Sequence, residues 1–199
     1  MVTTSPVVPV GGRPRSEAID EAVLTAALRA LARDGLAGMS MARIAADAGT
    51  TRTAIYRRWP SKTDLAVAAV ARLAQVGTPA VTGDPFVDLI AELEHFRHCI
   101  IEAGSLPLAG AMLTGAVEPQ VRQAYLDQIV APRRARLHTL LQTGVDSGQL
   151  AAEADLTQAG ASLIGSWYAY HLAGTTPPHD WPVRAARLIW RGCGGVPPR

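Results

Sequence analysis

The densest cluster of chemically useful side chains lies in residues 48–65, AGTTRTAIYRRWPSKTDL. Arg52, Arg57 and Arg58 fall within seven residues, next to Tyr56 and Trp59. Guanidinium groups bind phosphates and can make bidentate contacts to guanine. The cluster therefore has the chemistry to contact nucleic acid, although a solvated, charged helix face of an all-α protein would carry similar residues.

Two short helices joined by a glycine turn are predicted to hold this cluster. Ser40 is a suitable N-cap for the first helix, and Gly49 ends it. Thr50 or Thr51 caps the second helix, which stops before Pro60 because proline disfavours helical geometry in the residue that precedes it. The elements together form a helix-turn-helix.

The second of these helices divides its side chains between two faces. At about 100° per residue, Ile55 and Trp59 share one side, which we expect to face the core. Arg58 flanks that side, and its long stem could carry the charge to a phosphate. Lys62 lies in the first turn of the next helix, where its charge and the helix N-terminus could hold one phosphate. The opposite, outward side carries Arg52, Thr53, Tyr56 and Arg57.

Residues 40–65, SMARIAADAGTTRTAIYRRWPSKTDL, resemble the DNA-binding signature of the tetracycline-repressor (TetR) family. The resemblance extends back to about residue 16. Thr50 replaces a small apolar residue, and Trp59 replaces the usual Phe, which are compatible packing changes. The matching positions are Ser40, Ile44, Ala45, Ala48, Gly49, Thr51, Ile55, Tyr56, Trp59, Lys62 and Leu65.

This resemblance implies a homodimer that places one recognition helix per subunit in the major groove of a palindromic operator. It also implies a C-terminal domain that binds a small molecule and then releases the DNA, as in a repressor. Groove contacts would fall on Arg52, Thr53 and Tyr56. Backbone contacts would fall on Ser40, Thr51, Arg57, Arg58 and Lys62.

The organisation of the chain predicts an all-α protein of two domains after an N-terminal arm. Residues 1–12 are expected to form a flexible arm, 13–75 the helix-turn-helix domain, and 84–193 the ligand-binding and dimerisation domain. Residues 1–72 contain ten basic and six acidic side chains, whereas the rest contains nine and eleven. That asymmetry favours the N-terminal part as the one that meets a polyanion. Later helices are predicted at 85–103, 106–116, 119–146, 156–173 and 181–191.

The later helices carry candidates for a ligand pocket and for a dimer interface. Small residues repeat along 156–173 beside Leu163 and Trp167, and with Ala186 and Trp190 of the last helix they could pair two subunits. An intrachain packing face is the alternative. Four large or adaptable residues are candidates to line a pocket for an apolar or aromatic effector, unless they are plain core: Phe96, Met112, Tyr125 and Trp167.

Other kinds of site are disfavoured. His95, His98 and Cys99, with Glu102 beyond them, have a spacing that could ligate a metal. However, His95, His98 and Glu102 lie opposite the apolar stripe, so a solvated face is the preferred interpretation. The basic run PRRARLH, 132–138, is interpreted as a solvated helix face, with a second nucleic-acid surface as the alternative.

The sequence shows no nucleophile motif, phosphate loop or HExxH, so we expect neither an enzyme nor a cofactor. The absence of a long apolar run and of a signal-peptide pattern predicts a cytoplasmic protein that does not enter a membrane. Two alternatives remain open: a structural DNA-binding protein without an effector, and an enzyme that retains a helix-turn-helix.

Overall fold

The computed structural model describes residues 13–74, 77–102, 106–115 and 117–198. The predicted arm, residues 1–12, lies outside the described residues. Within these ranges the regular structure is helical and contains no strand, which confirms the all-α prediction. None of the helices in the same ranges combines the length and apolarity needed to cross a membrane.

Four helices form the N-terminal part of the fold. The first bends at Gly35, whose φ of 65° and ψ of 175° are not helical, so the predicted stop marks a break in the helix. Helix α2 and helix α3 are the predicted helix-turn-helix pair. The bounds are α1 Arg13–Gly38, α2 Met41–Asp47, α3 Arg52–Arg58 and α4 Lys62–Leu73.

The described residues of the C-terminal part form six α helices and one π-helical segment. The single helix predicted at 119–146 is interrupted by that segment, Leu126–Val130. Pro132 lies two residues after this segment and has no N–H to bond the carbonyl of Gln128, which favours a wider turn next to it. The bounds are α5 Pro85–Glu102, α6 Leu106–Thr114, α7 Pro119–Tyr125, α8 Ala131–Asp146, α9 Leu156–Leu172 and α10 Trp181–Gly192.

The apolar side chains form two buried clusters. The first core contains the inner faces of α1 to α4 together with Leu108 of α6 and Val121 and Tyr125 of α7. The second core joins α5, α8, α9 and α10 around Phe96 and three tryptophans. Helices before and after residues 77–84 contribute to the first core, so the two parts of the chain share buried side chains. The division into two domains at this stretch therefore stays a prediction. The packing connects α7 directly to α4.

The face proposed for subunit pairing is largely buried within the chain itself. Leu163 and Ala186 are 0% exposed, and Trp190 is 1% exposed. These residues form the intrachain packing face that was the alternative interpretation. Ala169, one of the small residues in the predicted repeat, is exposed, as are Ala161 and Gly165 of the same helix.

Candidate nucleic-acid interface and ligand cleft

Short-range hydrogen bonds position the recognition helix, α3. The Ser40 hydroxyl accepts from the backbone N–H of Arg43 at 3.4 Å at the start of α2. The Thr51 hydroxyl accepts from the backbone N–H of Ala54 at 3.1 Å at the start of α3. Gly49 between them has a φ of 62°, which other residues rarely adopt. The turn geometry is therefore encoded locally, and two predicted backbone-contacting residues also serve as caps.

The two faces of α3 lie as the helical periodicity predicted. Ile55 is 1% exposed and belongs to the first core, and Trp59, just past the helix, packs partly buried against that core. Four side chains of α3 remain exposed on the other side: Arg52, Thr53, Tyr56 and Arg57. Each of these can donate hydrogen bonds, and none is committed to the core. The structure thus brings the predicted groove-contacting residues together on one accessible surface.

Arg58 and Lys62 are tied to α1 in this structure. Arg58 forms an ion pair with Asp20, and the Lys62 ammonium donates a long hydrogen bond of 3.5 Å to the carbonyl of Ala37. The predicted phosphate contacts of these two residues stay predictions. Each contact would require the side chain to exchange or share its present partner.

A capping box holds the start of α4, next to Lys62. The Ser61 hydroxyl accepts from the backbone N–H of Asp64 at 3.0 Å, and the Asp64 carboxylate accepts from the backbone N–H of Ser61 at 3.0 Å. Sequence predicted this motif from the Ser61–Asp64 spacing. The box fixes Lys62 at the first position of α4, close to the end of α3.

A cleft of about 490 Å³, here called the main cleft, lies among α5, α6, α7, the π-helical segment, α8 and α9. Three of the four predicted pocket residues line it: Phe96, Met112 and Tyr125. Ile129, Ile164 and Tyr168 complete much of the apolar wall. Its size lies within the usual range for small-molecule sites.

The fourth predicted pocket residue, Trp167, does not line the main cleft. It is 3% exposed and packs edge-on against Phe96 and Trp181, with ring centroids 6.0 and 4.9 Å away. Its indole nitrogen is buried and has no hydrogen-bond partner among the described residues. Trp167 therefore supports the cleft wall from behind Phe96.

A smaller cleft of about 260 Å³ lies next to the main cleft and shares Tyr125, Ile129 and Arg133 with it. His95 and Cys99 line it and are half-buried, so the predicted solvated face is wrong for His95, whereas His98 is exposed as predicted. The reason is that α8 packs over this side of α5.

Burial dominates the chemistry of these two side chains. It lowers the pKa of His95 and raises the pKa of the Cys99 thiol. Among the described residues no group of three or more metal-ligating side chains is brought together.

A buried charge cluster, missed by the sequence prediction, separates the two clefts. Glu92 is 3% exposed and accepts three hydrogen bonds from Arg136, at 2.8, 3.1 and 3.1 Å. The Arg133 guanidinium lies 3.9 Å from Glu92 and 5.0 Å from the ring centre of Phe96. The run 132–138 is therefore not simply a solvated face.

A signal for this cluster was available in the sequence. Glu92 is three residues after Leu89 and four before Phe96, so it occupies the apolar stripe of α5. A carboxylate on a buried helix face is costly without a cationic partner, so its position predicts one. The partner, Arg136, lies 44 residues away and could not be identified from helical periodicity.

Two tyrosines meet at the wall of the main cleft. The hydroxyl groups of Tyr125 and Tyr168 are hydrogen-bonded to each other, and burial raises the pKa of both. Both phenols are therefore neutral near pH 7. Tyr125 also belongs to the first core, so the same side chain touches the cleft and the helices that hold α3.

Comparison with known proteins identifies two matching family models. The model described as bacterial regulatory proteins, tetR family, matches residues 23–69. The model described as tetracyclin repressor-like, C-terminal domain, matches residues 79–189. The second match alone spans more than half of the chain.

Individual relatives show the same similarity. An uncharacterized HTH-type transcriptional regulator of Mycobacterium tuberculosis is 27% identical over 164 residues, which are 82% of this chain and 81% of that protein. The DNA-binding transcriptional repressor TetR of Mycobacteroides abscessus is 45% identical over 56 residues, 28% of this chain and 30% of that protein.

Solved structures share the fold. A TetR-family regulator from Agrobacterium tumefaciens matches with a TM-score of 0.67 at 18% identity, over 91% of this chain and 99% of that one. A TetR transcriptional regulator from Chloroflexus aurantiacus matches with a TM-score of 0.66 at 24% identity, over 89% and 94%. At these identities the likeness concerns the fold alone.

Proposed function

The chain belongs to the tetracycline-repressor family of helix-turn-helix transcriptional regulators, and on that premise we propose that it is a ligand-responsive, dimeric repressor. In this proposal a small apolar or aromatic molecule releases the protein from a palindromic operator. A regulator of this kind works on DNA in the cytoplasm. The enzyme alternative has less support, because the named relatives are transcriptional regulators.

The exposed polar face of α3 is the main observation in support of DNA binding. Arg52, Thr53 and Tyr56 would enter the major groove, because they lie at the accessible N-terminal and central part of the helix. Arg57, Arg58 and Lys62 would contact the DNA backbone from the flank. Ser40 and Thr51, which begin α2 and α3, would contribute further backbone contacts.

The main cleft supports an effector rather than a purely structural DNA-binding role. Its walls are mostly apolar, and its lining includes Phe96, Met112 and Tyr125. Trp167 would influence ligand binding indirectly, through the position of Phe96. A solid C-terminal core would have favoured the structural alternative.

A physical connection between cleft and DNA-binding helices supports release on ligand binding. Tyr125 lines the main cleft and also packs within the first core, where α7 contacts α4. A ligand that displaces Tyr125 would move α7 against α4 and so change the position of α3. One coupling free energy would then link the two sites, and ligand and operator would weaken each other's binding equally.

Two DNA-binding heads at a fixed spacing require a dimer, and α9 offers an accessible surface for it. Ala169 is exposed on α9 outside the main cleft, and Leu172 beyond it is 81% exposed, whereas the exposed Ala161 and Gly165 line the main cleft. Small side chains allow close helix approach, and a large exposed apolar side chain is costly in water. We assign subunit pairing to this face rather than to the buried residues of the second core.

Selection of bound sequences from random duplex DNA tests the proposal. We expect a palindromic motif whose half-sites are about one helical turn apart, or a multiple of it. Repeating the selection with pools of small metabolites should reduce recovery of that motif. Recovery of DNA without sequence preference would contradict the operator, and a motif insensitive to every pool would favour the structural alternative.

A further inference from the structure

We propose that the main cleft binds a hydrophobic carboxylic acid whose carboxylate pairs with Arg133. The inference rests on the proposed function, since it names the chemical class of the effector. It is carried by the charge cluster between the two clefts, by the composition of the cleft wall, and by the tyrosine pair.

The charge cluster contains more positive than negative charge. Glu92 has its carboxylate engaged by three hydrogen bonds from Arg136. Arg133 lies 3.9 Å from the same carboxylate, beyond hydrogen-bond distance, and its side chain is only 13% exposed. Two guanidinium groups thus share one buried acid. A surplus cation away from water is unfavourable until it gains a partner.

The Arg133 guanidinium, which lines the main cleft, has one donor without an acceptor among the described residues. Its Nε–H is buried and has no hydrogen-bond acceptor among the described residues. The guanidinium carbon lies 5.0 Å from the centre of the Phe96 ring, over its face, in a cation–π contact. A carboxylate offers acceptor oxygens that match the geometry of guanidinium donors. An anionic group in the cleft would therefore offset the surplus charge and could accept from the guanidinium.

The wall of the main cleft suits the rest of such a molecule. Its described lining contains no Asp or Glu, whereas two exposed arginines, Arg122 and Arg134, add positive potential. The remaining wall is mainly apolar, with Met112, Ile129 and Ile164 among its residues. A cation would be repelled there, and a fully polar anion would leave the apolar wall without a partner.

The tyrosine pair supplies a further donor. Tyr125 and Tyr168 are neutral near pH 7, as phenols ordinarily are, and burial raises the pKa of both hydroxyl groups further. Their mutual hydrogen bond uses one of the two hydroxyl protons. The second proton can be donated to a ligand oxygen, which adds a neutral donor to the cationic one.

The test begins with the unmodified full chain and two matched ligand pairs. Decanoic acid is compared with decanamide, and 1-naphthylacetic acid with 1-naphthylacetamide, by isothermal titration calorimetry at pH 7.5. We expect at least one acid to bind with a Kd below about 1 mM and at least about tenfold more tightly than its amide, as for a charge-assisted pair. If neither acid binds, or if the amides bind as tightly, the inference is overturned.

Variants locate the carboxylate. Arg133→Met should abolish the preference for acid over amide, and Arg133→Lys should keep part of it because the charge remains. Arg29→Met removes one exposed arginine from α1, away from the cleft, and should leave the preference unchanged. Circular dichroism checks that each variant is folded. If Arg133→Met is unfolded, the acid–amide preference of Arg133→Lys, compared with that of the unmodified protein, still tests whether Arg133 binds the carboxylate. An unchanged preference in folded Arg133→Met or Arg133→Lys overturns the assignment.

The two proposals fail separately. The titrations contain no DNA, so loss of acid binding overturns the ligand class and leaves the operator selection intact. If the selection yields no sequence motif while the acids bind through Arg133, the regulatory function fails and the site stands.

Discussion

Asp20 of α1 and Arg58 at the end of α3 form an ion pair between residues 38 positions apart in the sequence. Their side chains are 31% and 30% exposed. The pair links the recognition helix to the long helix that supports it. It also places an acid beside an arginine that is predicted to contact phosphate.

We expect Asp20→Asn to make the free energy of DNA binding more favourable by more than it lowers the free energy of unfolding. A partly exposed pair contributes about 0.2–1 kcal/mol, so unfolding in urea should change little. Loss of the Asp20 carboxylate weakens the attachment of Arg58 to α1 and favours its contact with a phosphate, so log K should become steeper in log salt by about one unit. Glu21→Gln, which removes the neighbouring acid paired with Arg72, is the control. Equal salt slopes for the two variants would contradict the role of Arg58.

Arg52 and Lys62 should differ in what they contribute to DNA binding. Arg52→Ala should cost about 1–3 kcal/mol on the selected operator and relax preference at one base pair per half-site. Lys62→Ala should weaken all sequences alike and reduce the salt slope by about one unit. Binding to single-base operator variants at several salt concentrations measures both effects.

A matched control for this pair is Arg187→Ala, which removes an exposed arginine from α10. We expect it to alter neither base preference nor salt slope. If Lys62→Ala changed base preference while Arg52→Ala weakened every sequence equally, the docking of α3 would be wrong.

Ala169→Arg should convert the protein to monomers. Ala169 is exposed on the small-residue stripe of α9, where a long charged side chain would prevent close helix approach. Light scattering on the eluting protein measures the mass, and operator binding should be lost with the dimer. Ala152→Arg, at an exposed turn before α9, should remain dimeric. A dimeric Ala169→Arg would exclude this face.

Asp88 should stabilise the fold in a pH-dependent way. Burial by itself would raise its pKa, but hydrogen bonds from Thr82 and from the backbone N–H of Gly83 outweigh burial and hold the pKa below its ordinary value of 3.8. A lowered native pKa contributes stability above the unfolded pKa, and that stability is lost as the pH falls through the native pKa.

Asp88→Asn should therefore lower the free energy of unfolding by about 1–3 kcal/mol at pH 7. The difference from the unmodified protein should shrink below about pH 4 as the native carboxylate takes up its proton. Urea unfolding between pH 3 and 7 measures the trend. Glu153→Gln, at an exposed carboxylate, serves as control. A constant difference across this range would show that the charge of Asp88 is not what matters.

Two glycine substitutions should have opposite effects on stability. An added Cβ at Gly144 would lie 2.9 Å from the Trp190 ring and 3.0 Å from the Leu150 side chain, so Gly144→Ala should destabilise the second core by about 1–3 kcal/mol. Gly160 in α9 has no heavy atom within 4 Å of the added Cβ, and Gly160→Ala should stabilise by about 0.4–1 kcal/mol. Thermal unfolding compares the two directly. Equal effects would contradict the packing around Trp190.

The sequence by itself determined the local architecture of the DNA-binding part. Ser40, Thr51 and the Ser61–Asp64 pair cap their helices through hydrogen bonds that span three residues, so the signal and its partner lie in one short window. The division of α3 into a buried and an exposed face follows from the helical period. The family resemblance rests on the same stretch and is confirmed by the family models.

Only the tertiary structure decided which C-terminal side chains meet. Trp167 and Met112 were equal candidates for the pocket in the sequence. In the structure, Trp181 packs against Trp167 and buries it, whereas Met112 lines the main cleft. The Glu92–Arg136 pair joins helices 44 residues apart. Periodicity specifies which face of a helix is apolar, whereas the helix that covers this face depends on the packing of the whole chain. That packing placed Arg133 between two clefts and made α7 part of the core that holds the recognition helix.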